Sequence, residues 1–110
     1  MTPLAKKLGI KAGHRILVIG GPEGLLDDVE RADDRTAVDC VLIFAADSAA
    51  LPSTVPDTER LWIAYPKGGK KAGTDLNRDI LHAAMSARGL NGVSLVAVDD
   101  VWSAMRFRPA

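Results

Sequence analysis

Short apolar runs alternate along the chain with amphipathic and polar stretches. Four of these runs are apolar at nearly every position and occupy residues 16–19, 39–46, 61–65 and 93–98. Such runs are typical of strands buried on both faces of a parallel sheet. A shorter segment at residues 103–107 predicts a final strand that is antiparallel to the others.

Helix signals stand between the predicted strands. Thr2 and Pro3 predict the start of a short helix that ends near Gly9, since threonine caps helices and proline fits the first turn. Pro22 predicts a second helix that runs to about Ala32.

The longest helix is predicted over residues 75–88, between Thr74 as its cap and Gly89 just beyond its end. Helical spacing predicts one buried stripe on it, which comprises Leu76, Ile80 and Ala84 and is widened by Leu81 and Met85.

This succession predicts a single α/β domain over residues 1–110: a three-layer, Rossmann-like fold with a mostly parallel five-stranded sheet and an antiparallel last strand. The predicted strand order is 1-2-3-5-4. The loops at residues 20–24, 46–48 and 66–74 then share the rim at the carboxyl ends of the parallel strands, where open α/β sheets bind ligands.

Composition narrows the classes of partner. The chain has 110 residues with 14 basic and 14 acidic side chains, so it lacks the basic excess of a protein held to nucleic acid by phosphate contacts. The single cysteine, Cys40, excludes an intramolecular disulfide and fits a reducing compartment. No apolar run has the length of a signal peptide or a membrane span, so we expect a cytoplasmic protein without a membrane partner.

Two glycine-rich loops are candidate ligand sites. In the first, Gly20, Gly21 and Gly24 resemble a phosphate-binding turn, although Pro22 has no N–H to donate and Glu23 places its own charge at the helix start. A tight turn without a ligand is therefore the alternative.

The second loop is the stronger candidate for an anion. It brings together Lys67, Lys70, Lys71 and the helix start at Thr74, where ammonium groups, backbone N–H groups and the helix dipole favour negative charge. A solvated lysine loop is the alternative reading.

Other chemical groups indicate structure rather than catalysis. His14 and His82 lack a second ligand at metal spacing, Cys40 reads as a buried apolar residue, and Asp99 and Asp100 read as turn-forming acids. We therefore name no catalytic residue and no metal ligand.

The order of motifs resembles the class I S-adenosylmethionine-dependent methyltransferases. "LVIGGPEG" lines up with their glycine-rich loop, "DCVLIF" with their central strand, and "VAVDDVWSAMRF" with their reversed last pair of strands. Nearly the whole chain also resembles a small family of bacterial proteins of the same truncated form and no assigned activity, through "PLAKKLGIKAG", "YPK", "TDLN" and "WSAMRF".

The departures from the methyltransferase pattern argue against S-adenosylmethionine as cofactor. Val18 stands where that family has an acid, and Pro22 stands where it has its middle glycine. The second strand, whose final acid holds the cofactor ribose in that family, is expected to be missing.

We therefore expect a non-catalytic regulatory or interaction domain that binds a small anionic ligand at the rim. The alternatives are a degenerate methyltransferase or other nucleotide-dependent enzyme, and a structural subunit of a complex. A missing second strand also leaves one edge of the first strand unpaired, and such an edge is expected to be covered. The N-terminal helix and a second copy of the protein are the two candidates, and we expect a homodimer through that edge.

Overall fold

The computed structural model describes residues 6–11, 14–20, 30–31, 38–47, 49, 51, 60–68 and 73–109. These residues form a six-stranded mixed sheet and one helix. In chain order the elements are β1 (Arg15–Ile19), β2 (Glu30–Arg31), β3 (Cys40–Phe44), β4 (Arg60–Pro66), α1 (Arg78–Ser86), β5 (Leu90–Ala97) and β6 (Trp102–Pro109).

The strands lie in the order β2-β1-β3-β4-β6-β5. β1 is parallel to β2 and β3, and β3 is parallel to β4, whereas β6 is antiparallel to both β4 and β5. β5 therefore runs in the same direction as β4. The predicted succession of five strands, with only the last one reversed, is confirmed, and β2 is an additional strand.

Strand β2 corrects two predictions. Glu30 and Arg31 pair in parallel with Arg15 and Ile16, so the helix predicted to run from Pro22 to Ala32 cannot extend that far. The same pairing gives the start of β1 a partner on the side that we expected to be empty. Backbone hydrogen bonding to β1 decides the conformation here, although the two residues have no apolar pattern of their own.

The sheet buries side chains on both faces, as the unbroken apolar runs predicted. On one face Ile16, Leu42 and Trp62 pack with Leu8 and Ile10 of the N-terminal segment. The indole Nε1 of Trp62 donates a hydrogen bond to the carbonyl oxygen of Leu8 at 3.1 Å, which fixes that segment to β4. Cys40 belongs to the same cluster and is fully buried.

The opposite face packs against helix α1. Leu81 and Met85 of α1 are buried against a cluster that includes Ile43, Ile63 and Phe107. Ile80 is 44% exposed, so the predicted buried stripe is wrong at that position, because the helix presents Leu81 and Met85 to the sheet instead. In the described part of the chain no helix is both long and apolar enough to cross a bilayer.

The start of α1 differs from the prediction that Thr74 caps it. Asn77 is the N-cap, since its side-chain oxygen accepts a hydrogen bond from the backbone N–H of Ile80 at 2.8 Å. Thr74 lies before the helix, is buried, and accepts a hydrogen bond on its hydroxyl from the N–H of Leu76 at 3.0 Å. It therefore closes a turn that leads into the helix. Gly89 follows the helix end with φ of 82°, as the sequence predicted.

Candidate functional site

The carboxyl ends of four strands meet at one edge of the sheet. Ile19 of β1 is level with Ile43 of β3, which is level with Ile63 of β4, and β5 ends on the same side. We call this edge the carboxyl-end rim and define it by residues 20, 45–47, 66–68 and 98–101. The described parts of the three loops that we predicted to share an edge do so.

The direction in which strands are added reverses at β1. The chain places β2 on one side of β1 and then returns to place β3 on the other side. In open α/β sheets the crevice at such a reversal, outside the carboxyl ends of the strands, is the usual ligand site. The rim between β1 and β3 has this topology.

Gly20 lies directly at this reversal. Its φ of 73° falls in the left-handed region, and an added Cβ would lie 3.4 Å from the carbonyl oxygen of Phe44. Glycine therefore lets the loop after β1 turn close to the end of β3. Gly21 and Gly24, the other two candidate glycines, are outside the described residues.

Both the backbone and the side chain of Lys67 donate hydrogen bonds to the rim. Its backbone N–H donates to the carbonyl oxygen of Val101 at 2.7 Å, and its Nζ donates to the carbonyl oxygen of Asp99 at 2.6 Å. The predicted basic loop is thus tied to the β5–β6 turn. Lys70 and Lys71 are outside the described residues.

A second lysine, Lys7 of the N-terminal segment, contacts the last residue of β5. Nζ of Lys7 donates to the carbonyl oxygen of Ala97 at 3.4 Å, two residues before the carbonyl that Lys67 contacts. Sequence reasoning missed Lys7, because 90 positions separate it from Ala97 and no local pattern reports such a contact.

Asp99 organises the turn that follows β5, which Lys67 contacts through the Asp99 carbonyl. One oxygen of its carboxylate accepts the backbone N–H groups of Val101 and Trp102, each at 2.8 Å. This is the turn-forming role predicted for it. The ring of Trp102 in turn meets the ring of Phe44 edge-to-face, with centroids 5.0 Å apart, so the turn packs against the end of β3.

The remaining candidates lie elsewhere or have structural roles. Thr74 is buried and its hydroxyl is used in its own turn, so Thr74 is not the cap of α1, and its expected role in ligand binding stays a prediction. His14 accepts a hydrogen bond on Nδ1 from the N–H of Lys11 at 3.1 Å, which makes it part of the turn before β1. His82 lies on α1, where its ring lines a groove with Met105.

Comparison with known proteins adds no relative to this picture: no protein-family model, no curated protein and no solved structure matches the chain. The interpretation of the rim consequently depends on its own topology and contacts.

Proposed function

We propose that this protein is a small binding domain that holds an anionic ligand at the carboxyl-end rim of its sheet. The observation that carries the proposal is the reversal of strand order between β1 and β3, with Gly20 at the crevice. This topology supports a ligand site in the crevice both for a binding domain and for an enzyme.

The lysines support the choice of an anion. Lys7 uses one N–H of its ammonium group on the carbonyl of Ala97, the last residue of β5, and Lys67 uses one on the carbonyl of Asp99 in the turn that follows. An ammonium group has three N–H donors, so both retain donors for a ligand oxygen. Lys70 and Lys71 follow in the same loop of the sequence and would add charge to the site. We take the role of the domain to be regulatory or adaptor-like and its surroundings to be the cytoplasm.

The finer fold assignment belongs to this proposal as well. We infer a three-layer, methyltransferase-like Rossmann domain, which the six-strand order and the burial of both sheet faces support.

Strand β2 favours a variant of the proposal, in which the ligand carries a nucleoside. We expected the second strand of the methyltransferase pattern to be missing, but Glu30–Arg31 lies beside β1 in parallel. A nucleotide-dependent or S-adenosylmethionine-dependent enzyme is therefore the second candidate function. It predicts preferential binding of adenosine-containing compounds over simple anions.

The test is thermal unfolding of the full chain with inorganic phosphate, pyrophosphate, adenosine nucleotides and adenosylhomocysteine. A compound at about a hundred times its Kd stabilises the folded state by about 2.7 kcal/mol, which raises the Tm of a domain of this size by roughly 10–20 °C. We expect Lys67→Ala and Lys7→Ala each to weaken this binding by about tenfold, as loss of one charge-assisted hydrogen bond does.

Lys11→Ala is the matched control, because it removes the same charge from an exposed lysine. Lys11 precedes β1 and so lies toward the amino end of that strand, whereas the rim lies at the carboxyl end. Equal losses in all three variants would mean that only net charge matters, which contradicts a rim site. A shift with adenosylhomocysteine and none with phosphate selects the enzyme-like variant. No shift with any of these compounds overturns the proposal.

A further inference from the structure

Strand β5 forms the outer edge of the sheet on the side away from β2. Among the described residues it pairs with β6 on one side and with no strand on the other, and it runs for eight residues, LNGVSLVA, with no charged residue and no proline. Edge strands are commonly protected from pairing with other chains by charges or prolines. β5 carries only a register shift between Gly92 and Ser94, and its Val93 and Leu95 are 43% and 47% exposed.

A groove of about 450 Å³ runs beside this edge, between β5 and the first turns of α1. Its walls are Arg78, Asp79 and His82 from the helix and residues 92–95 from the strand, with Met105 at its base. An added Cβ at Gly92 would lie 2.8 Å from both His82 Cδ2 and Met105 Sδ. A larger residue at position 92 would therefore collide with these side chains, and glycine leaves the groove open.

The charges along the groove are of opposite sign and adjacent. The side chains of Arg78 and Asp79 are 66% and 90% exposed, and Nε of Arg78 lies 3.7 Å from Oδ1 of Asp79. Such an exposed pair contributes little to stability, which leaves both groups available to a partner. A surface that offers one cation beside one anion is complementary to its own copy under two-fold rotation.

We propose that the β5 edge is a homodimer interface, in which two copies pair through antiparallel β5 strands around a two-fold axis. With the axis at Ser94, Val93 lies opposite Leu95 of the partner copy, so each exposed apolar residue gains an apolar neighbour. The two α1 helices then lie on the same face of the joined sheet, and Arg78 of each copy faces Asp79 of the other.

A second copy fits this edge better than an unrelated peptide because both its apolar and its charged residues are self-complementary. The chain as a whole is neutral, with 14 basic and 14 acidic side chains, so two copies approach without net repulsion. The proposal moves the expected homodimer away from β1, whose start is already paired with β2, and it is independent of the ligand site at the rim.

The test is analytical ultracentrifugation of the full chain over a wide range of protein concentration. The wild type is expected to show a reversible dimer. Leu95→Lys is expected to raise its dissociation constant at least about tenfold, since an unpaired charge would be buried at each symmetric contact. Val101→Lys is the matched control, because Val101 is likewise an exposed apolar residue, at 57%, and lies in the β5–β6 turn, outside the β5 strand.

Exchanging the charges of Arg78 and Asp79 on α1 gives a second test. Both side chains are exposed, so these substitutions are expected to leave folding unchanged. Arg78→Asp alone is expected to weaken the dimer, and the double variant Arg78→Asp with Asp79→Arg is expected to restore it. A wild type that stays monomeric at the highest concentration overturns the proposal. So does a folded Leu95→Lys variant, verified by circular dichroism, that dimerises as strongly as Val101→Lys.

Discussion

Tyr65, the only tyrosine of the chain, is a buried phenol near the charged start of α1. Burial raises its pKa above the ordinary value of 10.0, while the charge of Arg78 lowers that pKa and the charge of Asp79 raises it. The phenol is therefore held in its neutral form by its surroundings more firmly than in the unfolded chain.

This difference predicts a loss of stability in base. Above pH 10 the unfolded phenol ionises while the folded one keeps its proton, so deprotonation favours unfolding and the free energy of unfolding falls until the pH passes the raised pKa. Tyr65→Phe is expected to remove this part of the pH dependence. The measurement is chemical denaturation on both sides of pH 10, comparing the pH slopes of the two proteins. Identical slopes would contradict the prediction.

Single residues also show where sequence reasoning is strong and where it is weak. The role of Asp99 was predictable because its partners, Val101 and Trp102, are two and three positions away. The contact of Lys7 with Ala97 was not, because it depends on how the N-terminal segment crosses the sheet. Lys67 lies between these cases: its loop and charge were evident, but its carbonyl partner was not.

At the level of elements, helix α1 depends on the hydrogen bond that the backbone N–H of Ile80 donates to the side-chain oxygen of Asn77. Asn77→Ala is expected to lower stability by about 1 kcal/mol and the Tm by roughly 4–8 °C, because a helix-end donor loses its partner. Amide hydrogen exchange at Ile80 is expected to accelerate, whereas Asn77→Asp is expected to keep both stability and protection.

Thr74→Ala distinguishes the two cap assignments. It removes the acceptor for Leu76 and is also expected to destabilise the fold, but the exchange rate at Ile80 is expected to change little relative to its neighbours in α1. If Thr74→Ala exposes Ile80 selectively and Asn77→Ala does not, the helix begins where the sequence pattern placed it and Asn77 is not its cap.

The elements that the sequence predicted are those whose signal is local. Buried strands β3 and β4 stand out because every position of their central runs is apolar. β2 has only two residues, Glu30 and Arg31, and forms by pairing with β1, so no periodicity marks it. The rim itself followed from the order of elements, since parallel strands with crossover connections end at a common edge.

At the scale of the whole molecule, the bond from Trp62 to Leu8 connects the N-terminal segment to the sheet. Trp62→Phe is expected to cost about 1 kcal/mol for the lost hydrogen bond, with further loss from the smaller ring. Backbone amides in residues 6–11 are expected to exchange faster. Trp102→Phe is the matched control, because it makes the same change at the rim and leaves the contact with Leu8 intact.

Equal acceleration of residues 6–11 in both tryptophan variants would mean that the segment responds to global stability alone. In that case the Trp62 bond does not hold it. The prediction concerns function too, because Lys7 reaches the rim only while this segment lies on the sheet.

The position of β6 sets an order in which the strands of the sheet can pair during folding. β6 follows all the other described strands in the chain, yet it lies between β4 and β5 and is the neighbour through which β5 joins the sheet. In the described sheet β5 therefore has no native neighbour before β6 has docked on β4. Until then the uncharged β5 is exposed along both edges, so a folding intermediate that lacks β6 is prone to aggregation through this strand.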